Sequence, residues 1–397
     1  MQKKFSLRKI LTPALFALAL ICLLAAVIIC NQLGVFDGRY AAVSEYADLL
    51  KKIDDIYIGE YETADVSAAA MHAAVESLGD RWSYYLTPEE YSIFLDNVNN
   101  RYAGIGVGVI IDEESGGMRV TFVYSGSAAE TAGIIAGDVI TGIDGYDISG
   151  MDLDEMKESL SRPVGDSVEL TVLRPDGSVA VLSAVYSYIF VDPVYFEMLD
   201  GDIGYVRLAN FDQGAARSFI SALDELTEQG AGAFIFDVRG NGGGRLVEMV
   251  EILDHLLPEG DIFVAVDKSG REEVTTSGPD SIDNPIVVLI DRYSFSAAEY
   301  FAATLREYDR AALAGEQTTG KNRMQTTVLL RGGGALHISS SQYLTKNRVS
   351  LYDAGGITPD YPVELTDEEF DLFISGNLDP QADPQLQKAI ALLRAAD

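Results

Sequence analysis

Ser296 lies at the junction between an apolar, strand-like run and a helical pattern. A serine hydroxyl at such a junction can act as a nucleophile. The run Ile286–Ile290 is entirely apolar, and apolar side chains then recur at helical spacing, at Tyr300, Phe301, Leu305 and Tyr308. The segment Ser296-Ala-Ala-Glu299 also fits a capping box, in which a hydroxyl and a carboxylate satisfy the first amides of a helix. By itself, this segment leaves both roles of the serine open.

A glycine-containing loop with a lysine follows in the chain. Gly315-Glu-Gln-Thr-Thr-Gly320-Lys321 matches a phosphate-binding P-loop up to its last position, where Asn322 replaces the Ser or Thr that would hold magnesium. A P-loop also needs a helix directly after the lysine, whereas residues 324–330 are rich in β-branched side chains and predict a strand. Nucleotide binding is therefore disfavoured.

Together the two segments resemble the C-terminal processing (tail-specific) peptidases. That family carries a serine nucleophile in an S-x-S-A-x-E turn and a general-base lysine in a G-E-x-T-x-G-K-x-x-x-Q loop. The matching residues here are Ser294, Ser296, Ala297 and Glu299, then Gly315, Glu316, Thr318, Gly320, Lys321 and Gln325. The resemblance implies Ser296 as nucleophile, Lys321 as general base and Gln325 as the residue that orients the lysine. Phe295 replaces the small residue that is usual between the two serines.

A second glycine turn follows the predicted buried strand Ala233–Arg239 and precedes a predicted helix. Its glycines begin a dinucleotide-binding fingerprint, but Arg245 stands where the third glycine is required. In the resembled family this turn is D-L-R-N-N-P-G-G, and a glycine amide of it supplies half of the oxyanion hole. The resemblance implies Gly243 or Gly244 as this donor, and the extra glycines leave open which amide of residues 242–244 faces the substrate. The resemblance implies the amide of Ala297 as the second donor, at a predicted helix N-terminus where the helix dipole also favours an oxyanion.

Residues 102–189 change to short β-like runs separated by glycines, and two segments there resemble a PDZ domain. Residues 127–140 match its short helix and following strand, and the loop that receives a C-terminal carboxylate is matched by Gly104, Ile105, Gly106 and Val107. Glycines let amides crowd around an anion, and an open sheet edge can add a peptide as another strand. Arg162 lies one place from the family's usual arginine and is a further candidate for contacting the peptide.

The N-terminus predicts a single membrane-spanning helix. The first ten residues hold four basic side chains and no acid, and Leu11–Cys30 has no charged residue. At about 1.5 Å per residue, twenty helical residues span roughly 30 Å, the hydrocarbon thickness of a bilayer. The basic flank then stays in the cytoplasm, with the rest of the chain on the outer face of the cell membrane. A cleaved signal peptide is disfavoured because no A-x-A-like site follows. A lipid anchor at Cys30 is disfavoured because bulky Ile29 occupies the position where that processing requires a small residue.

Net charge and cysteine content argue against nucleic-acid binding and against stabilisation by disulfides. The first 36 residues carry +4 of a total of −32, so the remainder carries −36. Such an acidic body is repelled by nucleic acid. Both cysteines, Cys22 and Cys30, lie in the predicted membrane helix, so disulfides cannot stabilise the external part.

The sequence therefore predicts an α/β protein in four parts. They are a basic flank and transmembrane anchor (1–36), a helical segment that the resemblance implicates in homodimers (37–101), a PDZ domain (102–189), and an α/β serine protease core of the tail-specific type (190–397). We expect a membrane-anchored serine endopeptidase with a Ser/Lys dyad that needs no metal or organic cofactor. Its expected partners are proteins or peptides with apolar C-termini.

Two alternative functions fit parts of the sequence. The first is a non-catalytic PDZ scaffold or sensor that binds protein C-termini without cutting them. The intact serine, lysine and glutamine disfavour it. The second is a PDZ-bearing trypsin-like protease, which is disfavoured because none of the three histidines lies in a segment resembling a Ser-His-Asp protease.

Overall fold

The computed structural model describes residues 8–32 and 39–395. The chain divides into two compact units, Met1–Val75 and Glu76–Asp397. The first contains helices α1 (Arg8–Gln32), α2 (Arg39–Ile56) and α3 (Thr63–Glu76), the last of which ends one residue into the second unit. Within the described residues, no helix has both the length and the apolar character needed to cross a membrane. Residues 1–7 of the predicted basic flank lie outside the described part.

The second unit begins with β1 (Tyr84–Leu86), α4 (Pro88–Val98) and β2 (Arg101–Gly104). Thr87 caps α4 in a capping box: its hydroxyl accepts from the amide of Glu90 at 3.2 Å, and the Glu90 carboxylate accepts from the amide of Thr87 at 2.8 Å. The prediction of a helical segment over 37–101 is corrected at β1. Its three residues form a strand because they pair with a distant strand of an antiparallel sheet.

A β-rich part follows, with its own core. Its elements are β3 (Val107–Ile111), β4 (Met118–Val123), α5 (Ala128–Ala132), β5 (Val139–Ile143), β6 (Tyr146–Asp147), α6 (Leu153–Ser159), β7 (Ser167–Leu173) and β8 (Val179–Val185). The antiparallel sheet has the order β3-β4-β5-β7-β8, with β6 beside β5, so β3 is an edge strand. Met118, Ile140 and Leu170 are fully buried in the core.

The remaining elements build the part that holds the serine turn, the lysine loop and the glycine turn described above. They are β9 (Ser187–Phe190), β10 (Val194–Leu199), β11 (Ile203–Leu208), α7 (Ala215–Glu228), β12 (Ala233–Asp237), α8 (Leu246–Leu256), β13 (Gly260–Asp267), β14 (Glu272–Ser277), β15 (Ile286–Ile290), α9 (Ala297–Glu307), β16 (Ala311–Gly315), β17 (Arg323–Leu329), β18 (Ala335–Leu344), β19 (Tyr361–Pro362), α10 (Asp367–Ile374) and α11 (Pro384–Arg394). Strand β9 pairs with β2.

The central sheet has the order β10-β11-β12-β15-β16-β19 and is parallel from β11 to β19. All five residues of β15 are buried, as expected of a continuous apolar run in a parallel sheet. Alternate residues of β15 face opposite layers. Ile286, Val288 and Ile290 belong to the core formed with α7, α8 and α9, whereas Val287 and Leu289 belong to the core formed with α11. Helices therefore cover both faces of this sheet.

A second, antiparallel sheet has the order β1-β18-β13-β14, with β17 also paired to β18. Its register places Tyr84 of β1 opposite His337 of β18. The strand predicted over residues 324–330 is confirmed as β17, which begins two residues after Lys321. A helix at that place is a requirement of the P-loop, so the structure excludes a P-loop here.

Candidate active site

Ser296 occupies a strained turn between β15 and α9. Its backbone has φ of +59° and ψ of −122°, a region that residues with a side chain rarely adopt. A sharp strand-to-helix turn of this kind presents the serine hydroxyl at the edge of a sheet. Ser296 lines a cavity of about 790 Å³, so the turn offers the hydroxyl to a ligand in that cavity.

The carboxylate of Glu299 ties this turn to the lysine loop. Glu299 is fully buried in the first turn of α9. Its Oε2 accepts from the amides of Ser296 at 3.1 Å and Lys321 at 2.9 Å. Its Oε1 accepts from the amide of Gly320 at 2.6 Å and from the hydroxyl of Thr318. Burial raises the pKa of Glu299, and these four hydrogen bonds oppose the rise. A residue predicted as a helix cap therefore joins two separate segments of the site.

The Lys321 amine lies among aromatic rings and is shielded from water. The residue is 8 % exposed, and its Nζ lies 4.4 Å from the centroid of the Trp82 ring and 5.9 Å from that of Phe295. Burial lowers the pKa of Lys321 to about 8. At that value roughly one lysine in ten is neutral at pH 7, against about one in 3,000 for an unperturbed side chain.

Nearby carboxylates do not pair with this amine. Asp80 and Glu299 lie close enough to favour its charged form, and Arg81 disfavours it. Asp80, however, forms an ion pair with Arg323 at 3.3 Å, and no ion pair of Lys321 itself occurs in the part of the chain that the structure describes. The lysine is thus a buried amine whose proton is held weakly.

The cavity wall is largely apolar. Its apolar and aromatic side chains include Trp82, Phe94, Leu246, Met249, Phe263 and Met324. Arg81, Asp212 and Arg245 add charged groups to the lining besides Lys321. Burial raises the pKa of Asp212 to about 6, and Arg245 opposes this rise. A mostly apolar wall with a few converging polar groups is typical of a binding site.

The glycine turn 240–244 packs directly against the serine turn. A Cβ on Gly243 would lie 2.8 Å from the Ser296 Cβ and 3.0 Å from the Ala297 amide nitrogen, and Gly243 has φ of +92°. Only glycine fits this contact. Two buried residues also connect the turns: the carboxylate of Asp291 accepts from the Gly240 amide at 3.0 Å, and the hydroxyl of Ser294 donates to a carbonyl just before the glycine turn.

The three predicted oxyanion donors, Gly243, Gly244 and Ala297, line the same cavity as Ser296, but they are not equivalent. The Gly243 amide donates to the side chain of Asn241 at 2.8 Å. For the amides of Gly244 and Ala297, no internal hydrogen-bond partner is found among the described residues. Among the described residues, the Gly243 amide is therefore engaged within the protein, whereas those of Gly244 and Ala297 are not.

Gln325 lines the same cavity but does not hydrogen-bond to the lysine side chain. Its amide donates to the Arg323 carbonyl at 2.9 Å and to the Ser339 hydroxyl at 3.1 Å. The bond to Ser339 joins the start of β17 to β18, whereas the bond to Arg323 lies within β17. The predicted orientation of Lys321 by Gln325 therefore stays a prediction, with no direct contact to carry it.

The predicted peptide-binding loop Gly104–Val107 is not part of this cavity. It connects β2 to the edge strand β3. Gly106 has φ of +88°, and a Cβ there would lie 2.3 Å from the Ser127 Cβ. The carbonyl of Ile105 accepts from the amide of Ala129 at 2.8 Å. The loop is thus fixed against α5 and lies beside an open sheet edge.

Arg162 is engaged elsewhere in the β-rich part. Its guanidinium forms an ion pair with Asp144 in the turn between β5 and β6. Arg162 does not line the cavity, and within the described residues it makes no hydrogen bond to the Gly104–Val107 loop. Its predicted contact with the peptide is therefore not supported by this geometry.

Sequence reasoning missed two residues of the site. Trp82 reaches Lys321 because β1 pairs with β18. The Tyr343 hydroxyl, on β18, donates to the Lys321 carbonyl at 2.6 Å. Burial raises the pKa of Tyr343, and the nearby Ser296 hydroxyl opposes this rise. The available signals were the lone tryptophan in a cluster of tyrosines and an aromatic residue in a predicted strand.

Comparisons with known proteins agree with this arrangement. Residues 202–363 match peptidase family S41, and residues 119–174 match a PDZ domain. A carboxyl-terminal-processing protease of Synechocystis sp. is 31% identical over 330 residues, covering 82% of this chain and 76% of that protein. The carboxy-terminal processing protease CtpA of Bacillus subtilis is 30% identical over 329 residues, covering 82% of this chain and 70% of that protein.

Fold similarity extends to a solved S41 protease structure from Bacteroides fragilis. It has a TM-score of 0.54 and 19% sequence identity, covering 86% of this chain and 92% of that one. The predicted mixed α/β peptidase fold with a PDZ domain is thereby confirmed. The chain belongs to peptidase family S41, the family of the carboxyl-terminal processing proteases, and is a serine-type peptidase with a PDZ domain.

Proposed function

We propose that this peptidase is an endopeptidase in which Ser296 is the nucleophile and Lys321 the general base. The observation that carries the proposal is that both residues line one cavity, with their backbone amides held by the single carboxylate of Glu299. A serine hydroxyl needs an adjacent base to become a nucleophile. A lysine whose pKa is lowered to about 8 can act as that base near neutral pH.

The reaction then runs in two stages. Neutral Lys321 takes the hydroxyl proton of Ser296 as the serine oxygen bonds to the carbonyl carbon of the substrate. The resulting ammonium gives its proton to the leaving amine as the peptide bond breaks, which leaves an ester on Ser296. Water, deprotonated by the same lysine, attacks the ester and restores the free serine. Each stage moves one proton to the lysine and returns it.

Negative charge develops on the substrate oxygen in both stages. The amides of Gly244 and Ala297 are the donors we assign to it, because neither is used inside the protein in the described region. The Ala297 amide also lies at the N-terminus of α9, where the helix dipole favours an anion. Loss of one such donor typically costs about 3–4 kcal/mol of transition-state stabilisation.

Gln325 acts through the backbone in this proposal. Its hydrogen bond to Ser339 holds β17 against β18 directly after the lysine loop, so it limits how far Lys321 can move. Gln325→Ala is then expected to lower kcat more than it raises KM, because substrate still binds while the base is misplaced.

The PDZ domain supplies substrate selection. The Gly104–Val107 loop stands at the start of the free edge of β3, where an extended peptide can add as a strand with its carboxylate at the loop amides. We therefore propose that substrates are proteins or peptides with free, apolar C-termini. Arg162 has no part in this proposal.

The test is digestion of casein by the purified chain and by two variants. Ser296→Ala and Lys321→Arg are both expected to lose hydrolysis, since Arg keeps the charge but cannot give up its proton. An Arg variant within tenfold of the parent would overturn the assignment of the base. If the parent chain itself cuts nothing yet binds peptides through their C-termini, the non-catalytic scaffold is the correct function.

We further propose attachment to the cell membrane through the Leu11–Cys30 segment, with the peptidase outside. The support is the uncharged run of that segment and its basic flank. Cells would be fractionated and then treated with an external protease. A chain found in the soluble fraction, or one that the external protease does not cut on intact cells, would contradict the anchor.

Dimer formation stays a prediction, to be measured by sedimentation of the purified chain.

A further inference from the structure

Trp82, the chain's only tryptophan, forms one wall of the Lys321 environment. Its ring centroid lies 4.4 Å from the Lys321 Nζ and 5.5 Å from the centroid of the Phe295 ring. The guanidinium carbon of Arg81 lies 4.2 Å from the same centroid. The side chain is partly buried and lines the cavity. The steps of hydrolysis described above make no use of this ring.

The backbone that carries Trp82 is firmly held. The Ser83 hydroxyl donates to Asp80 at 2.6 Å and accepts from the amide of Ser339 at 2.9 Å. Asp80 in turn pairs with Arg323 at 3.3 Å. Strand β1 begins two residues after the tryptophan and pairs with β18. The residues on both sides of Trp82 are thus fixed, and this limits the positions that its ring can take.

An indole ring acts on a neighbouring amine in two opposite ways. Attraction to the ring face favours the ammonium by about 0.5–2 kcal/mol, whereas exclusion of water disfavours it. The other charged or titratable groups that act on Lys321 are Asp80, Glu299, Arg81 and His337. The two carboxylates favour the charge and Arg81 disfavours it, yet the pKa of Lys321 is lowered, with burial the largest cause. Exclusion of water therefore outweighs the attractions.

We propose that Trp82 is a positioning residue for the general base: its ring holds the Lys321 amine at the cavity wall and keeps water from it. This inference rests on the proposed Ser/Lys mechanism. Trp82 takes no proton and forms no bond with the substrate. It makes the amine available in its neutral form while fixing the direction from which the amine meets Ser296.

The contact can be measured without any substrate. Tryptophan emission in this chain comes from one residue, and an ammonium against an indole changes that emission. The emission of the purified chain is expected to titrate with a midpoint near pH 8, the value to which the pKa of Lys321 is lowered. The transition should remain in Ser296→Ala and disappear in Lys321→Met. A transition of equal size in Lys321→Met would overturn the contact.

The kinetic test compares two replacements of the ring. Trp82→Ala admits water to the amine, so the pH at which kcat/KM reaches half its maximum should rise by one unit or more. Its activity deficit should be tenfold or more at pH 7 and should narrow towards pH 10, where the lysine loses its proton in any case. Trp82→Phe keeps an aromatic face and should move the midpoint by less than half a unit. Tyr146→Ala, which removes an exposed ring in the β-rich part, is the matched control.

The outcomes separate this inference from the mechanism on which it rests. If Lys321→Arg abolishes hydrolysis but Trp82→Ala keeps the parent midpoint, the dyad stands and the role of Trp82 is refuted. A uniform loss of activity at every pH in Trp82→Ala, with the midpoint unmoved, would equally refute it, because it would indicate a purely structural role. If Lys321→Arg still cuts, the dyad itself fails.

Discussion

Replacing Lys321 with methionine is expected to abolish hydrolysis and at the same time stabilise the fold. Methionine has nearly the length of lysine and no charge, so it can occupy the aromatic environment of Trp82 and Phe295 without burying an ammonium. The lysine, in contrast, buries its amine there, and the burial of the charged form lowers the stability of the fold. A residue maintained for catalysis at a cost in stability is common in active sites.

The size of this effect follows from the shift in pKa. Lys321 titrates at about 8 in the folded chain, against an ordinary value of 10.5. Below pH 8 both the folded and unfolded states are protonated, and the shift of about 2.5 units corresponds to about 3 kcal/mol of lost stability. Between the two values the unfolded chain holds more protons, so stability rises with pH. The gain in Lys321→Met should therefore be about 3 kcal/mol at pH 7 and about 1.5 kcal/mol at pH 9.5.

Urea unfolding at these two pH values measures the gain. The comparison is made in Ser296→Ala, which prevents self-digestion, and is followed by the emission of Trp82 in the unit that holds the site. Lys268→Met, at an exposed lysine, serves as the control and should leave stability within about 0.5 kcal/mol. A Lys321→Met variant no more stable than its parent at pH 7 would refute the argument. So would a gain that is equal at both pH values.

Three further predictions concern other groups. Glu299→Gln should lower kcat/KM at least 100-fold and lower the melting temperature. The new NH2 group would face two backbone N–H donors, and each donor left without an acceptor costs about 1–3 kcal/mol. Activity near that of the parent would contradict the bridging role. Burial lowers the pKa of His337 to about 4, so stability is lost as pH falls from 6.5 towards 4, and thermal melts of His337→Gln should show a smaller loss over that range. Amidating the C-terminus of a peptide substrate should raise its KM about tenfold, since one charge-assisted hydrogen bond is worth about 1.5–3 kcal/mol; equal cleavage of both forms would leave the PDZ domain with a structural role.

Features encoded by neighbouring residues could be predicted from the sequence. The turn at Ser296 follows from an apolar run that changes to helical spacing, and the strand after Lys321 follows from its β-branched residues. The continuous apolar run of β15 predicts burial on both faces, which the structure has. In each case the information lies within about ten residues of the feature it determines.

Features that depend on pairing between distant strands could not be predicted in this way. Trp82 reaches the lysine only because β1 pairs with β18, and no local pattern states which strand a three-residue segment will join. The same applies to Arg162, whose choice of Asp144 as partner depends on how the β-rich part folds. The engagement of the Gly243 amide by Asn241 depends on a side-chain rotamer that spacing does not determine.

The hydrogen bonds of Glu299 explain how an acid and a free amine coexist in one site. A carboxylate beside Lys321 would ordinarily form an ion pair with it and raise its pKa. Here both carboxylate oxygens are occupied by three backbone amides and a hydroxyl. The carboxylate of Asp291 is satisfied in the same way, since it accepts from the Gly240 and Tyr293 amides and the Ser294 hydroxyl. Because backbone donors satisfy these acids, the acids hold the turns in place without forming an ion pair with Lys321. The pKa of Lys321 stays lowered, as the proposed role of this residue as general base requires.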